Sequence, residues 1–306
     1  MGGDVAARRG APRIPGQAAR GHLAMLAFSA LVAGSFSLGA MAANEIGPSA
    51  LTALRFLLAS FIVAAAAQVT GGIPRAALAA PWRYLLLGGL FAIYFVTMFE
   101  GLKTAPPVSA AAVFTLTPLM AGGFGYLLLR QRMSARTALA LCIGAAGALW
   151  VIFRADWSAL RAFRIGPGEA VFFWGCVAHA AYPPLVARLN RGERPVVFTL
   201  GTLIAGTLIL VLAGWREIAA TDWLALPAIV WVTLAYVTVV ATAITFVLVQ
   251  YAALRLPASK VMAYTYLVPT WVIGSEAALG RPLPPPLVMA GVALTVLALV
   301  LLLETD

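Results

Sequence analysis

The sequence predicts an all-α membrane protein of ten transmembrane helices, laid out as two inverted five-helix repeats with both termini in the cytoplasm. Three observations lead there. Of the 306 residues, 62% are hydrophobic and 10% charged, with a mean hydropathy of +0.94, whereas soluble domains run nearer half apolar and a quarter charged. The apolar residues gather in runs long enough to cross a hydrocarbon core as helices, not in the short alternating segments of a membrane barrel. Finally, Ala105–Arg130 (APPVSAAAVFTLTPLMAGGFGYLLLR) returns in altered form as Leu256–Arg281 (LPASKVMAYTYLVPTWVIGSEAALGR), each with a proline near its middle, Pro118 and Pro269.

Taken in order, residues 1–21 read as a flexible basic tail, with Arg8, Arg9, Arg13 and Arg20 among Gly, Pro and Ala. The spans fall at 22–42, 50–69, 83–101, 105–129, 135–153, 168–187, 196–214, 227–250, 256–280 and 284–303. Ala40-Met41-Ala42 has the form of a signal cleavage site, but the second span follows at once, so an uncleaved first helix is expected. Residues 22–153 form the first repeat, 154–167 the link and 168–303 the second repeat. Pro and Gly mark the shorter links, among them Gly47-Pro48 and Gly166-Pro167. Small residues at four-residue spacing (Ala140, Gly144, Ala148; Gly201, Ala205), with Gly88-Gly89 and Gly291, permit close helix crossings.

The net charge of +10 is explained by arginines in the links, where lipid headgroups and the positive-inside rule favour them. No basic patch interleaved with aromatics lies outside the spans, which argues against nucleic acid. With ten spans, the tail and the links on its side hold thirteen Lys/Arg (the four tail arginines, Arg75, Arg83, Arg130, Arg132, Arg136, Arg188, Arg191, Arg194 and Arg255). The opposite links hold six: Lys103, Arg154, Arg161, Arg164, Arg216 and Arg281. This asymmetry places both termini in the cytoplasm. An odd number of spans per repeat makes the second copy enter from the other side, an architecture that in transporters puts the substrate site near mid-membrane between the halves. Cys142 and Cys176 lie inside apolar runs and say nothing of redox compartment.

Polar groups at depth are the candidate site residues, because hydrocarbon makes them expensive. A proline inside a helix supplies no N–H and displaces the carbonyl four residues back. Pro118 and Pro269 should therefore free the carbonyls of Phe114 and Thr265, and Pro183 with Pro184 those of His179 and Ala180. The plainer reading of each is a packing kink; the matched positions of Pro118 and Pro269 favour helix breaks that line a cavity. Thr115, Thr117, Tyr264 and Tyr266 bracket the breaks. His179 has Tyr182 three residues on, on the same helical face. Tyr94 and Trp271 are too deep for the interfacial aromatic belt, so they either pack or stack on a substrate. Glu100 and Glu276 are the candidate coupling carboxylates; an ion pair of Glu100 with Lys103, or Glu276 reaching the headgroups, is the plainer alternative. Arg55 lies one to two turns into its span and needs a partner or an aqueous face, Lys260 can snorkel, and Gln250 sits near a span end. No P-loop, G-x-S-x-G or H-E-x-x-H occurs, and two histidines make a catalytic metal cluster improbable. Neither an enzyme nor a cofactor is expected.

These stretches resemble the EamA-type transporters of the drug/metabolite transporter superfamily. Gly34-Ser35-Phe36 followed by PSALTALRFLLA (Pro48–Ala59) is similar to the family's opening, with Arg55-Phe56 as its arginine–phenylalanine pair. EGLKTAPPVSAAAVFTLTPLM (Glu100–Met120) and YAALRLPASKVMAYTYLVP (Tyr251–Pro269) resemble its stretch into the fourth span of each repeat, and GEAVFFWGCVAHAAYPPLVAR (Gly168–Arg188) resembles a repeat's first helix. The glutamate that the family often carries in an L-G-E turn is absent: those positions read Arg130-Gln131 and Gly280-Arg281. The resemblance implies a multi-pass protein of a bacterial cytoplasmic (inner) membrane that exports amino acids, amines or related organic compounds. The expectation is a secondary transporter working by alternating access in the lipid bilayer, with protons a possible coupling ion. Import of the same substrates, or a channel-like membrane protein, remains the alternative. Tyr94, Thr115, Thr117, His179, Tyr182, Tyr264, Tyr266 and Trp271 are the expected cavity residues.

Overall fold

In the computed structural model, which describes residues 15–162 and 165–304, every regular element is a helix among the described residues. The first part of the chain forms α1 (Pro15–Ala42), α2 (Pro48–Val69), α3 (Trp82–Leu102), α4 (Pro107–Phe114), α5 (Thr117–Leu129), α6 (Ala135–Ile152) and the short α7 (Trp157–Arg161). The second part forms α8 (Pro167–Leu189), α9 (Pro195–Ala220), α10 (Ala228–Thr238), α11 (Thr245–Ala253), α12 (Ala258–Ala263), α13 (Val268–Ala278) and α14 (Pro286–Leu303). A π-helical turn, Val239–Ile244, joins α10 to α11, and a 3-10 turn, Tyr264–Leu267, joins α12 to α13.

Proline writes many of the boundaries. Pro48, Pro107, Pro167, Pro195 and Pro286 each occupy the first helical position, where the missing N–H would have had no partner anyway. Ser134 caps α6 by accepting the Thr137 N–H at 3.1 Å, and Asp156 caps α7 by accepting the Ser158 N–H at 2.7 Å. Nine helices among the described residues are long and apolar enough to cross a bilayer, counting α4 with α5 as one and α10 through α11 as another. The remaining apolar run, 256–280, is divided into α12, the 3-10 turn and α13, so no single piece reaches spanning length. The first helix begins at Pro15, so Pro15–Gly21, expected in the tail, are helical instead. The rest of that tail, with Arg8, Arg9 and Arg13, lies outside the described residues, as does Arg164 of the charge count.

The helices pack around a continuous buried core. α3 packs against α8 and α9, α2 against α9, α6 against α14, α1 against α11 and α13, and α5 against α8 and α12. Glycines let backbones meet at these crossings. A Cβ on Gly147 would lie 2.6 Å from the Gly291 carbonyl oxygen, and one on Gly88 would lie 2.5 Å from the Gly206 nitrogen. Gly101 and Gly168 meet in the same way where α3 ends against the start of α8.

One buried ion pair fixes an end of the bundle. Arg83 opens α3 and donates to Glu193 at 2.7 Å, to the Leu189 carbonyl at 2.7 Å and to the Ala79 carbonyl at 2.9 Å. It thereby ties α3 to the link between α8 and α9. Burial alone would raise the Glu193 carboxyl; hydrogen bonds from Arg83 and from the Arg191 N–H, with the Arg83 charge, outweigh it and hold the group below the usual carboxylate range.

Candidate functional site

The two proline breaks meet. α4 stops at Phe114 and α5 restarts at Thr117, which makes Pro118 the second residue of a new helix. Pro269 holds the same place in α13. The expected interior prolines are therefore helix starts, and the carbonyls they were expected to free have local partners. The Thr117 hydroxyl donates to the Phe114 carbonyl at 2.7 Å, the Thr115 hydroxyl donates to Ala112 at 2.6 Å, and the Val268 N–H takes the Thr265 carbonyl. Thr117 Oγ1 then lies 3.2 Å from Thr265 Oγ1. Because the Thr117 proton is used on Phe114, Thr265 is the donor of this pair. A hydroxyl from each broken segment thus joins them.

Beside this joint lies an aromatic cluster centred on His179 of α8. Its ring centroid is 4.4 Å from Tyr94, 5.1 Å from Phe114 and 5.6 Å from Phe91. Phe91 in turn stacks at 3.9 Å on both Tyr182 and Phe246. Gln250 Nε2 donates to the Tyr182 hydroxyl at 2.6 Å. The Tyr94 hydroxyl, His179 Nδ1 and Gln250 Oε1 are buried without a partner. Pro183 and Pro184 sit inside α8, which continues through them to Leu189.

Arg55 of α2 adjoins the same cluster and is fully buried. Its guanidinium stacks 3.7 Å over Phe95, whose ring lies 4.6 Å from Tyr94. Nε donates to Thr242 Oγ1 at 2.9 Å, and Nη2 donates to Thr242 Oγ1 at 2.5 Å and to the Ala241 carbonyl at 3.2 Å. Both acceptors belong to the π-helical turn, a distortion that recurs at functional sites.

The other residues singled out by sequence lie elsewhere. Tyr264 places its hydroxyl 3.2 Å from His22 Nδ1, and His22 lines a cleft of about 510 Å³ with Gln131, Ser134, Thr137, Ser259 and Lys260. Tyr266 faces α6, where Gly144 makes room for its ring and its hydroxyl donates to the Leu141 carbonyl at 3.4 Å. Trp271 is 41% exposed and donates to Ser29 Oγ at 3.2 Å. Glu100 is exposed and paired with Lys103 at 2.6 Å, the plainer of its two readings. Glu276 is buried; Oε2 accepts from Arg281 at 2.8 Å, while Oε1 has no partner. Of the expected cavity set, the structure brings Tyr94, His179 and Tyr182 into one aromatic cluster and sets Thr117 in the joint beside it, while Thr115 bonds within its own helix and Tyr264, Tyr266 and Trp271 lie elsewhere. Sequence reasoning passed over Gln250 and Thr242, and it passed over Glu169, whose Oε1 accepts from the Ser109 hydroxyl at 2.7 Å. The signal available for Glu169 was its place in the first turn of a helix opened by Gly166-Pro167, where a carboxylate suits the dipole.

The model of the EamA-like transporter family matches the chain twice, over residues 19–153 and 166–304. The chain belongs to the EamA-like transporter family. It is 24% identical over 265 residues to a Bacillus subtilis protein named uncharacterized transporter YyaM, a match covering 86% of this chain and 87% of that one. A second relative, the aromatic amino acid exporter YddG of Ancylobacter novellus, is 33% identical over 129 residues, 42% of each chain. One solved crystal structure superposes on 94% of this chain and 97% of its own with a TM-score of 0.71 at 21% identity, a likeness of fold alone. Family membership makes the protein a multi-pass membrane transporter.

Proposed function

We propose that this transporter exports a small organic metabolite, an amino acid or a related compound bearing an aromatic ring, across a bacterial inner membrane by alternating access. The observation that supports it best is the set of unpartnered polar atoms at the centre: the Tyr94 hydroxyl, His179 Nδ1 and Gln250 Oε1. Each such atom costs about 1–3 kcal/mol when buried without a hydrogen bond. Three of them, from α3, α8 and α11, ringed by Phe91, Phe114 and Phe246, suit a site whose missing partners are the polar groups of a substrate. The rings would stack on an aromatic side chain, in keeping with the name of the second relative, an aromatic amino acid exporter.

Two inverted five-helix halves, with both termini in the cytoplasm, supply the mechanism. Exchanging each span for the one five places on turns the α3–α8 contact into the α11–α1 contact and the α5–α12 contact into the α13–α4 contact, and maps α2–α9 and α6–α14 onto themselves. An odd count per half sets the copies in opposite senses. A cleft of about 510 Å³ beside His22 and Lys260 and one of about 460 Å³ beside Thr104, Arg154 and Glu169 are then the two vestibules, one at each membrane face. In this reading the contact of Phe91 with Tyr182 and Phe246 corresponds to a closed state between them. Glu276, buried with one oxygen unpartnered, is the better of the two coupling carboxylates.

Counterflow of labelled aromatic amino acids in proteoliposomes tests the reading. Uptake should saturate, and His179→Ala should abolish most of it while yield and monodispersity stay normal. Non-saturating flux, or unchanged flux in His179→Ala, would overturn it.

A further inference from the structure

We propose that Arg55 is a carboxylate-binding subsite of the central site, so that the substrate is an organic acid or zwitterion and not a simple amine. This rests on the transport reading above and narrows its substrate class. Arg55 is fully buried, seven residues after the first residue of the apolar helix α2 and against the π-helical turn. A guanidinium has five N–H donors and no acceptor. Three donor contacts from Nε and Nη2 go to Thr242 and Ala241, whereas Nη1 has no partner. All of its acceptors are neutral, and a buried cation without a counter-charge is costly. The Phe95 face, 3.7 Å away, offsets part of that cost.

Among the described residues no carboxylate pairs with Arg55. Glu217 accepts the Ser49 and Ala50 N–H groups at the start of α2, at 2.8 and 3.2 Å. Glu100 is at the surface with Lys103, and Glu193 is bound to Arg83. The missing counter-ion is therefore expected from a ligand. The rings place that ligand: Phe95 carries the guanidinium on its face and touches Tyr94, which touches His179. An aromatic amino acid with its carboxylate on Nη1 would lay its side chain along this path. A primary ammonium would meet a fixed positive charge instead. Clamping by Thr242 and Ala241 holds the fork in place before the anion arrives, which lowers the ordering cost of binding.

The test is calorimetric titration of the purified full-length protein in lipid nanodiscs with hydrocinnamate and with the amine and the alcohol of the same carbon skeleton. Wild type should bind the carboxylate at least about tenfold more tightly than either partner. Arg55→Gln should lose that preference while His179→Ala weakens all three ligands alike. Equal binding of the three by wild type, no binding of the carboxylate, or an unchanged preference in Arg55→Gln would overturn the inference. Should Arg55→Gln fail to fold, Arg55→Lys decides: weaker binding with the carboxylate preference kept supports the subsite, and undiminished affinity or a lost preference sinks it. Counterflow without any carboxylate preference would remove this inference and leave the transport reading standing. Arg55-dependent carboxylate binding without counterflow would do the reverse.

Discussion

Replacing Gly88 with alanine should push α3 away from α9. The new Cβ would lie 2.5 Å from the Gly206 nitrogen, 2.7 Å from the Thr202 carbonyl oxygen and 3.0 Å from Gly206 Cα, where ordinary contact begins at 3.4 Å. All three atoms are backbone, so no side chain can rotate aside and the helices must part by roughly 1 Å. Overpacking of this kind costs about 1–3 kcal/mol, against a gain of about 1 kcal/mol from alanine's better helix propensity. Gly123→Ala isolates the difference, because Gly123 is also helical and a Cβ there meets nothing within 4 Å. At about 2–4 °C per kcal/mol for a chain of this size, the Tm of Gly88→Ala should fall below that of Gly123→Ala by on the order of 5 °C. Thermal unfolding followed by size exclusion in detergent reads the shift. Gly88 lies six residues before Tyr94 in α3, roughly 9 Å along the helix, so flux should fall as well. Equal Tm values for the two variants would refute the close crossing.

Glu100→Gln should leave saturable transport unchanged and cost less than about 1 kcal/mol of stability, since an exposed ion pair contributes little; a loss of flux, read by counterflow, would return Glu100 to the mechanism. Glu193→Gln should destabilise the protein by about 2 kcal/mol through the lost charged hydrogen bonds to Arg83, seen as a lower Tm at neutral pH. The same group gives an acid limb to stability. Its folded pKa lies below the unfolded value, so its contribution is complete above the unfolded carboxylate pKa of about 4.3 and is lost as pH falls through the folded value. Glu193→Gln should flatten that limb in a pH series of thermal scans, and a limb as steep as wild type would assign it to other carboxylates.

Depth along a span was legible in the sequence, while direction around the helix was not. Tyr94 and His179 on one hand and Tyr266 on the other are all apolar-run residues with a polar tip, and only packing decides that the first two face the centre while Tyr266 turns toward Gly144. The breaks were legible from Pro118 and Pro269, but their position was not. A proline clashes with the carbonyl four residues back, so each helix ends ahead of its proline and restarts just before it. Arg55 read as a basic residue one to two turns into its span that needs a partner or an aqueous face, and nothing in the sequence named that partner. Its burial follows from the π-helical turn at Val239–Ile244, for which a run of Val, Ala, Thr and Ile gives no signal. Gln250 was hidden for a related reason, because a polar residue near a span end is ordinary until a Tyr182 hydroxyl is found against it. The crossings at Gly88 and Gly291 were the most readable packing feature, since small residues at helical spacing have few other uses in lipid, whereas Gly144, expected at a crossing, makes room for the Tyr266 ring instead.

The opposed orientation of the two halves is tested most directly at Lys103 and Arg255, which hold matching places before the two broken segments. In a background with Cys142→Ser and Cys176→Ser, each position is changed in turn to cysteine and challenged with a membrane-impermeant maleimide. Intact cells should label the Lys103→Cys protein, and the Arg255→Cys protein should label only after permeabilisation. Labelling of both from one side of the membrane would contradict the account.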